Sequence, residues 1–289
     1  MAQSEFGRPA VEDTLSSIDE VDVIIEADGH VQNTLDAILP HVDDGYEAFE
    51  AFVERSPAPS MELNPSNTPS PLYQYEHEKE AEGKHAYFFT DERGADELKE
   101  KMDELGIDKA VANNLGGTPI RNPRWIPGFV NGANNWMLDQ FDRYDDIVGN
   151  MVVSHHHAID EMVEEIDRLA DEKDIVGIQF IGTPINPLPG HRRYDPLYEA
   201  AESHGLPICI HTATGNKGWP EQFWWSQTYA EDHVYEHPFS HMANLASMVL
   251  NGVFERFPDL EILCQEAGLG YVPYLLERMD TAYETMGYD

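Results

Sequence analysis

The sequence predicts an α/β barrel, because short apolar runs rich in β-branched residues alternate with helical segments along most of the chain. Strands joined by helical crossovers run parallel to one another. The length of 289 residues suits one barrel of roughly 250 residues with additions. The predicted strands are 21–31, 107–115, 147–154, 175–182, 206–213 and 259–268. A closed barrel needs eight strands, so we expect a (β/α)8 TIM-barrel-like fold that lacks its last one or two strands.

Helical patterns fill the spaces between these strands. The segment 158–174 is strongly amphipathic, and the segment 90–106 has a capping residue at its start and Gly106 at its end. The predicted helices are 34–54, 90–106, 136–146, 158–174, 195–205, 240–258 and 271–286. We expect residues 1–20 to form a polar N-terminal arm, and residues 21–289 to form the barrel domain. Residues 56–85 are dense in Pro, Ser and Asn, which predicts an irregular insertion in that domain.

The composition is strongly acidic. The chain has 18 Lys and Arg against 54 Asp and Glu, a formal net charge of −36, and the acidic residues are spread along it. A dispersed excess of this kind favours a halophilic protein whose self-repulsion is screened by salt. Nucleic-acid binding is not expected, because contacts to phosphates need clustered basic side chains.

The chain shows no feature of membrane insertion or of export. No run approaches the 18 apolar residues of a membrane helix, and the first residues lack an apolar signal core. The only cysteines, Cys209 and Cys264, lie in strand-like runs and do not suggest a disulfide framework. We therefore expect a soluble, cytoplasmic protein that does not bind membranes.

Three of the predicted strands end in side chains that can bind a metal. Asp28 and His30 share one face of the first strand, His211 ends the fifth, and Glu266 ends the sixth. Inward residues at the carboxyl ends of barrel strands converge on one site. Alone, each has a structural alternative, such as Asp28 capping a loop or Glu266 forming an ion pair. Together they predict a divalent metal site, most simply zinc, with manganese or iron as alternatives.

Four longer segments carry a family resemblance. The chain resembles the amidohydrolase-related family that includes aminocarboxymuconate-semialdehyde decarboxylase. The resemblance implies a metal-dependent, distorted (β/α)8 barrel, often dimeric, that hydrolyses or decarboxylates small carboxylated or aromatic compounds. The matching segments are VIIEADGHVQ, NGANNWMLDQF, IVGIQFIGTPINPLPGHRRYDPLYEAAESHGLPICIHT and LNGVFERFPDLEILCQEAGLGYVPYLLERMD.

The resemblance also implies roles for single residues. His30 matches the first histidine of the family's Asp-x-His-x-His motif, and Gln32 replaces the second. His211 matches the metal-binding histidine of the fifth strand. Glu266 falls where the decarboxylases place a catalytic histidine. The family's eighth-strand aspartate has no counterpart before Asp289.

Further candidates for the site each have two interpretations. His241 is either an acid–base group at the barrel mouth or a surface residue of its helix. Gln179 either binds substrate or forms a hydrogen bond inside the barrel, and Arg124 is either a carboxylate clamp or a surface residue. Trp219 belongs to an aromatic group that either walls the substrate site or forms a subunit interface. Among His155–His157, a solvated turn is favoured over a site histidine.

Hydrolysis of a small carboxylated or aromatic substrate is the predicted reaction. Asp28, His30 and His211 would hold the metal, and Glu266 and His241 would transfer protons. Decarboxylation by the same centre is the first alternative. A non-catalytic or truncated subunit of such an enzyme is the second, because one histidine and the eighth-strand aspartate are missing. We expect a homodimer or a higher homo-oligomer.

Overall fold

A computed structural model of the chain contains one parallel six-stranded sheet whose strands follow the order of the sequence, β1-β2-β3-β4-β5-β6. It describes residues 21–55, 92–115, 122–153, 157–181, 187–211 and 229–287. The strands are β1 (Ile25–Val31), β2 (Lys109–Asn114), β3 (Ile147–Val152), β4 (Ile175–Ile181), β5 (Ile208–His211) and β6 (Ile262–Cys264). The strands alternate with helices, so the predicted incomplete barrel of six strands is confirmed.

Helices follow the strands and form the crossover connections that parallel strands need. They are α1 (Leu35–Ile38), α2 (Glu47–Arg55), α3 (Ala95–Leu105), α4 (Ile126–Phe141), α5 (Ile159–Leu169), α6 (Asp195–His204), α7 (Tyr229–Leu250), α8 (Val253–Arg256) and α9 (Val272–Met286). Short 3-10 turns occupy Leu39–His41 and Arg192–Tyr194. In the described part of the chain, none of these helices has the length and apolar character needed to cross a bilayer.

The helix after β2 begins ten residues before its predicted start at 136. Pro127, Gly128 and Gly132 have low helix propensity, which is why the sequence pattern did not predict a helix over these residues. In the structure Pro127 lies in the first turn of α4, where a proline fits. A Cβ on Gly128 would lie 2.7 Å from Cβ of Phe49 in α2. Close packing of α2 on α4 therefore explains the glycine.

Other predicted boundaries also shift. The predicted helix 34–54 is divided into α1 and α2 around the bend that follows Leu39–His41. The predicted helix 240–258 begins earlier, at Tyr229, because α7 continues through Pro238. The N-terminal arm 1–20 and the insertion 56–85 lie outside the described residues.

The sheet curls strongly from β1 to β6. Gln265, just after β6, donates a hydrogen bond from Nε2 to the carbonyl oxygen of Ala27 in β1. Within the described ranges, β1 pairs only with β2 and β6 only with β5. A flat sheet would hold its first and sixth strands far apart, at about 4.8 Å per strand step. The curl therefore brings the carboxyl ends of β1, β5 and β6 to one side of a shared interior.

Candidate metal centre

Four side chains from three strands converge at the carboxyl end of the sheet. They are Asp28 and His30 of β1, His211 of β5, and Glu266, which follows β6. One potential ligand atom of each lies within 4.8 Å of the others. The sequence predicted this convergence, and residues separated by more than two hundred positions meet here.

A bulge in β1 directs Asp28 into the site. The register of β1 against β2 shifts between Glu26 and Gly29, so Asp28 lies within an irregular stretch of the strand. Its backbone N–H donates to Oε1 of Glu26 at 2.8 Å, which holds the bulge locally. Bulges re-aim side chains and are frequent beside active sites.

The two histidines and Asp28 form a compact triangle. His30 Nε2 lies 3.0 Å from His211 Nε2. Oδ1 of Asp28 lies 3.3 Å from His211 Nε2 and 3.7 Å from His30 Nε2. A tetrahedral ion with ligand bonds of about 2.0–2.1 Å separates its ligand atoms by about 3.3–3.4 Å. Two imidazole nitrogens and one carboxylate oxygen with these separations fit a divalent cation of the zinc class.

The charge of Asp28 suits a cation ligand. Burial alone would raise the pKa of Asp28, but hydrogen bonds and charge interactions with His211 and His30 outweigh it and lower the pKa from 3.8 to about 2. The carboxylate is therefore ionised near neutral pH, which is the form that binds a metal.

Glu266 has an unusual backbone conformation. Its φ is 62°, in the left-handed region that L-residues other than Asn and Asp seldom occupy. The conformation turns the chain sharply after β6 and presents the carboxylate to the site, where Oε2 lies 3.6 Å from His211 Nε2. The side chain is 30% exposed, so the site reaches solvent at Glu266. Strain of this kind persists where the surrounding structure holds it and is concentrated at functional sites.

His237 of α7 is a site residue that the sequence did not single out. Its Nε2 lies 3.6 Å from Oε2 of Glu266, and the residue is only 3% exposed. The sequence offered one signal, the run HVYEHPFSHMANL, in which three histidines follow one another at intervals of four residues and share a helix face. Of these three, His241 was the predicted site residue.

His241 lies behind the site rather than in its mouth. It is fully buried, with Nδ1 3.1 Å from the carbonyl oxygen of His237 and Nε2 3.0 Å from that of Ile210. Burial lowers the pKa of His241, which favours the neutral ring. Ile210 immediately precedes His211, so His241 joins α7 to the strand that presents the metal-ligand candidate. The structure does not bring it into the four-residue cluster.

The predicted substrate-binding residues differ from one another in burial and in location. Gln179 is fully buried in β4, where its Oε1 accepts a hydrogen bond from the backbone of Asn114 at 3.0 Å. Among the residues that the structure describes, none is a hydrogen-bond partner of its Nε2. Arg124 is exposed in the turn before α4. His157 is exposed, whereas Trp219, His155 and His156 lie outside the described residues.

Comparisons with known proteins agree with this architecture. The sequence matches the profile of the amidohydrolase family over residues 28–288. No curated protein sequence matches the chain.

Similar solved structures include that of IDCase from Metarhizium anisopliae, with 18% identity and a TM-score of 0.65 over 92% of this chain and 70% of that one. The 5-carboxyvanillate decarboxylase of Sphingomonas paucimobilis has 18% identity and a TM-score of 0.63 over 92% and 74% of the two chains. The 5-carboxyvanillate decarboxylase of Novosphingobium aromaticivorans, solved with manganese and 4-hydroxy-3-methoxy-5-nitrobenzoic acid, has 20% identity and a TM-score of 0.57 over 91% and 70%. These likenesses show the fold.

Proposed function

Because this chain belongs to the amidohydrolase family, we propose that it is a metal-dependent enzyme that hydrolyses a small carboxylated or aromatic compound. Asp28, His30 and His211 would hold the divalent ion. The observation that carries the proposal is the triangle of two imidazole nitrogens and one carboxylate oxygen, with edges of 3.0, 3.3 and 3.7 Å.

A divalent ion bound there would supply Lewis-acid polarisation of the substrate and lower the pKa of water. The proton-transfer group of the chain would be Glu266, which reaches both solvent and the metal ligands. Its carboxylate can take a proton from water and return it to the leaving group. His237 is placed 3.6 Å from the same carboxylate oxygen and can orient it or accept the proton in turn. His241 would act as a positioning residue by fixing α7 against β5.

Decarboxylation is the second candidate. It is favoured by the likeness in fold to two structures of 5-carboxyvanillate decarboxylase. In this reaction the bond between the ring carbon and the carboxyl group breaks, carbon dioxide leaves, and the electron pair remains on the ring carbon. That carbon then takes up a proton, for which the Glu266–His237 pair is the available donor. The same residues thus serve either reaction.

A substrate panel tests the proposed function. The full chain, loaded with zinc or manganese, would be incubated with small aromatic carboxylates, their amides and their esters, and products would be followed by mass spectrometry and carbon dioxide release. We expect turnover that disappears after chelation and returns with metal. Cleaved amides or esters would indicate hydrolysis, and carbon dioxide would indicate decarboxylation. Binding of no metal by the full chain would contradict the proposal.

Zinc is the proposed metal, with manganese and iron as alternatives. Two imidazole nitrogens favour zinc, whereas the additional carboxylate of Glu266 also suits manganese. The manganese in a structurally similar protein supports that alternative.

Gln179 remains a proposed substrate-binding residue, because its buried Nε2 can donate a hydrogen bond to a substrate oxygen. For Arg124 and Trp219, a role in substrate binding remains a prediction from the sequence.

The apparent affinity for the metal is expected to fall as the pH falls. A metal binds the deprotonated form of its ligands, so protons compete with it for the two imidazole nitrogens and the dissociation constant should rise. Asp28 adds nothing to this slope, because its lowered pKa of about 2 keeps it ionised. Titrations with Zn²⁺ between pH 5 and 6 measure the slope. His30→Gln removes one of the two imidazole ligands and should make the profile shallower, whereas a flat profile of the wild type would argue against imidazole ligands.

Salt is expected to stabilise the fold. We propose that the net charge of −36 is an adaptation to concentrated salt. Self-repulsion of that charge weakens as the Debye length falls from about 10 Å at 0.1 M salt to about 3 Å at 1 M. The free energy of unfolding, measured with urea because guanidinium chloride is itself a salt, should rise over this range. A value that stays constant or falls would contradict the adaptation.

We also propose a homodimer or higher homo-oligomer that works in the cytoplasm. Large apolar side chains are exposed on α9, namely Tyr274, Leu276, Tyr283 and Met286, which supports a contact surface there. Sedimentation of the full chain in high salt tests the assembly, and a monomer at micromolar concentration would contradict it.

A further inference from the structure

A row of buried amides leads from the metal centre into the sheet. Asn113, in β2, donates a hydrogen bond from Nδ2 to Oδ1 of Asp28 at 2.8 Å. Asn150, in β3, donates from Nδ2 to Oδ1 of Asn113 at 2.9 Å. Both asparagines are essentially inaccessible to solvent. The row crosses three neighbouring strands at the level of the site, since Asn113 is the register partner of His30.

The row has a fixed direction. A side-chain amide has one acceptor end and one donor end. Because Oδ1 of Asn113 accepts from Asn150, the NH2 group of Asn113 must face Asp28. A carboxylate can only accept hydrogen bonds, so this direction matches the ionised form of Asp28.

The far end of the row lies beside a glycine of β4. A Cβ on Gly177 of β4 would collide with Oδ1 of Asn150. The absence of a side chain at Gly177 therefore gives Asn150 the space to hold its orientation.

We propose that Asn113, oriented by Asn150, is a positioning residue that fixes the carboxylate of Asp28 for the divalent cation. This inference rests on the metal centre proposed above. The oxygen that accepts from Asn113 is the same Oδ1 that faces His211 at 3.3 Å and His30 at 3.7 Å. A Lys or Arg at this position would compete with the cation for the carboxylate. A neutral amide directs the carboxylate and leaves its negative charge for the metal.

Removal of the amide should weaken metal binding without removing a ligand. Loss of a group that orients a ligand typically costs about 10–100-fold in metal affinity. We expect a loss in that range for Asn113→Ala, measured by titrating Zn²⁺ into the metal-free full chain against a chromophoric chelator. Gly177→Ala keeps every amide but displaces Asn150, and should weaken affinity by about tenfold, near the lower limit. It also serves as the second variant if Asn113→Ala does not fold.

Asn134 provides a matched control. It is a fully buried asparagine of α4, and within the described residues its side-chain hydrogen bonds go to the backbone of Val152 and to Glu165 rather than to the cluster. Asn134→Ala should lower the free energy of unfolding and leave the zinc affinity of the folded protein unchanged. A purely structural role for Asn113 predicts the same behaviour for both variants.

The outcomes separate the two claims. Wild-type binding with weaker binding by Asn113→Ala and Gly177→Ala, but not by Asn134→Ala, would support the positioning role. Wild-type binding together with affinities of the Asn113 and Gly177 variants within about threefold of it would overturn that role and leave the metal centre intact. No zinc binding by the wild type would overturn the proposed function, and the positioning role with it.

Discussion

The double variant His30→Ala, His211→Ala is expected to lose its bound metal and, with it, all metal-dependent turnover. The two Nε2 atoms are 3.0 Å apart and supply the only nitrogen ligands in the four-residue cluster. After their removal, only carboxylates remain, and these bind zinc weakly without imidazole or thiolate partners. Elemental analysis after dialysis should find less than about a tenth of the wild-type metal content.

His204 supplies the control for this experiment. It lies on α6 and pairs with Asp167 at 2.7 Å, so it is a histidine beside a carboxylate away from the cluster. His204→Ala should retain the full metal content. Equal metal content in the double variant and the wild type would mean that the ion binds elsewhere.

The second large effect is expected at Glu266. Glu266→Gln keeps the size and the backbone conformation of the residue but removes the group that accepts a proton. The loss of a general base typically reduces kcat by about 10²–10⁴-fold. If Glu266 acts in proton transfer, most of the metal should remain bound. A variant that loses most of its metal, with turnover falling in proportion to the metal lost, would identify Glu266 as a fourth ligand.

Glu266→Gly should lower activity while it stabilises the fold. The left-handed φ of 62° is accessible to glycine without the steric cost that glutamate bears. The free energy of unfolding should therefore rise by about 1 kcal/mol relative to Glu266→Gln, in which the strain persists. Chemical denaturation of the two metal-free variants measures the difference. Lower stability of the glycine variant would show that the conformation at this position is not strained.

The sequence was sufficient to predict the strands and the convergence of the site. Period-two alternation in β1 and the polar residues that end β5 and β6 are local patterns, and barrel topology places such strand ends together. The sequence alone was therefore enough to predict the four residues of the cluster, Asp28, His30, His211 and Glu266.

The remaining features depend on three-dimensional packing. The bulge at Asp28 depends on the pairing of β1 with β2, which a single strand does not reveal. His237 and His241 share one face of α7, so the choice between them depends on the position of the helix along its axis relative to β5 and β6, and Pro238 interrupts the helical pattern in the sequence. The glycine-rich start of α4 has weak helix propensity and is stabilised by contact with α2. Asn113 appeared as an ordinary strand residue until its partner Asp28 was located.

An anomalous difference map, recorded at the zinc absorption edge from crystals grown with Zn²⁺, tests the central claim most directly. The account predicts one strong peak between Nε2 of His30, Nε2 of His211 and the carboxylate of Asp28, at about 2.0–2.2 Å from each. A map without a peak at this position, or with His30 and His211 turned away from each other, would contradict it.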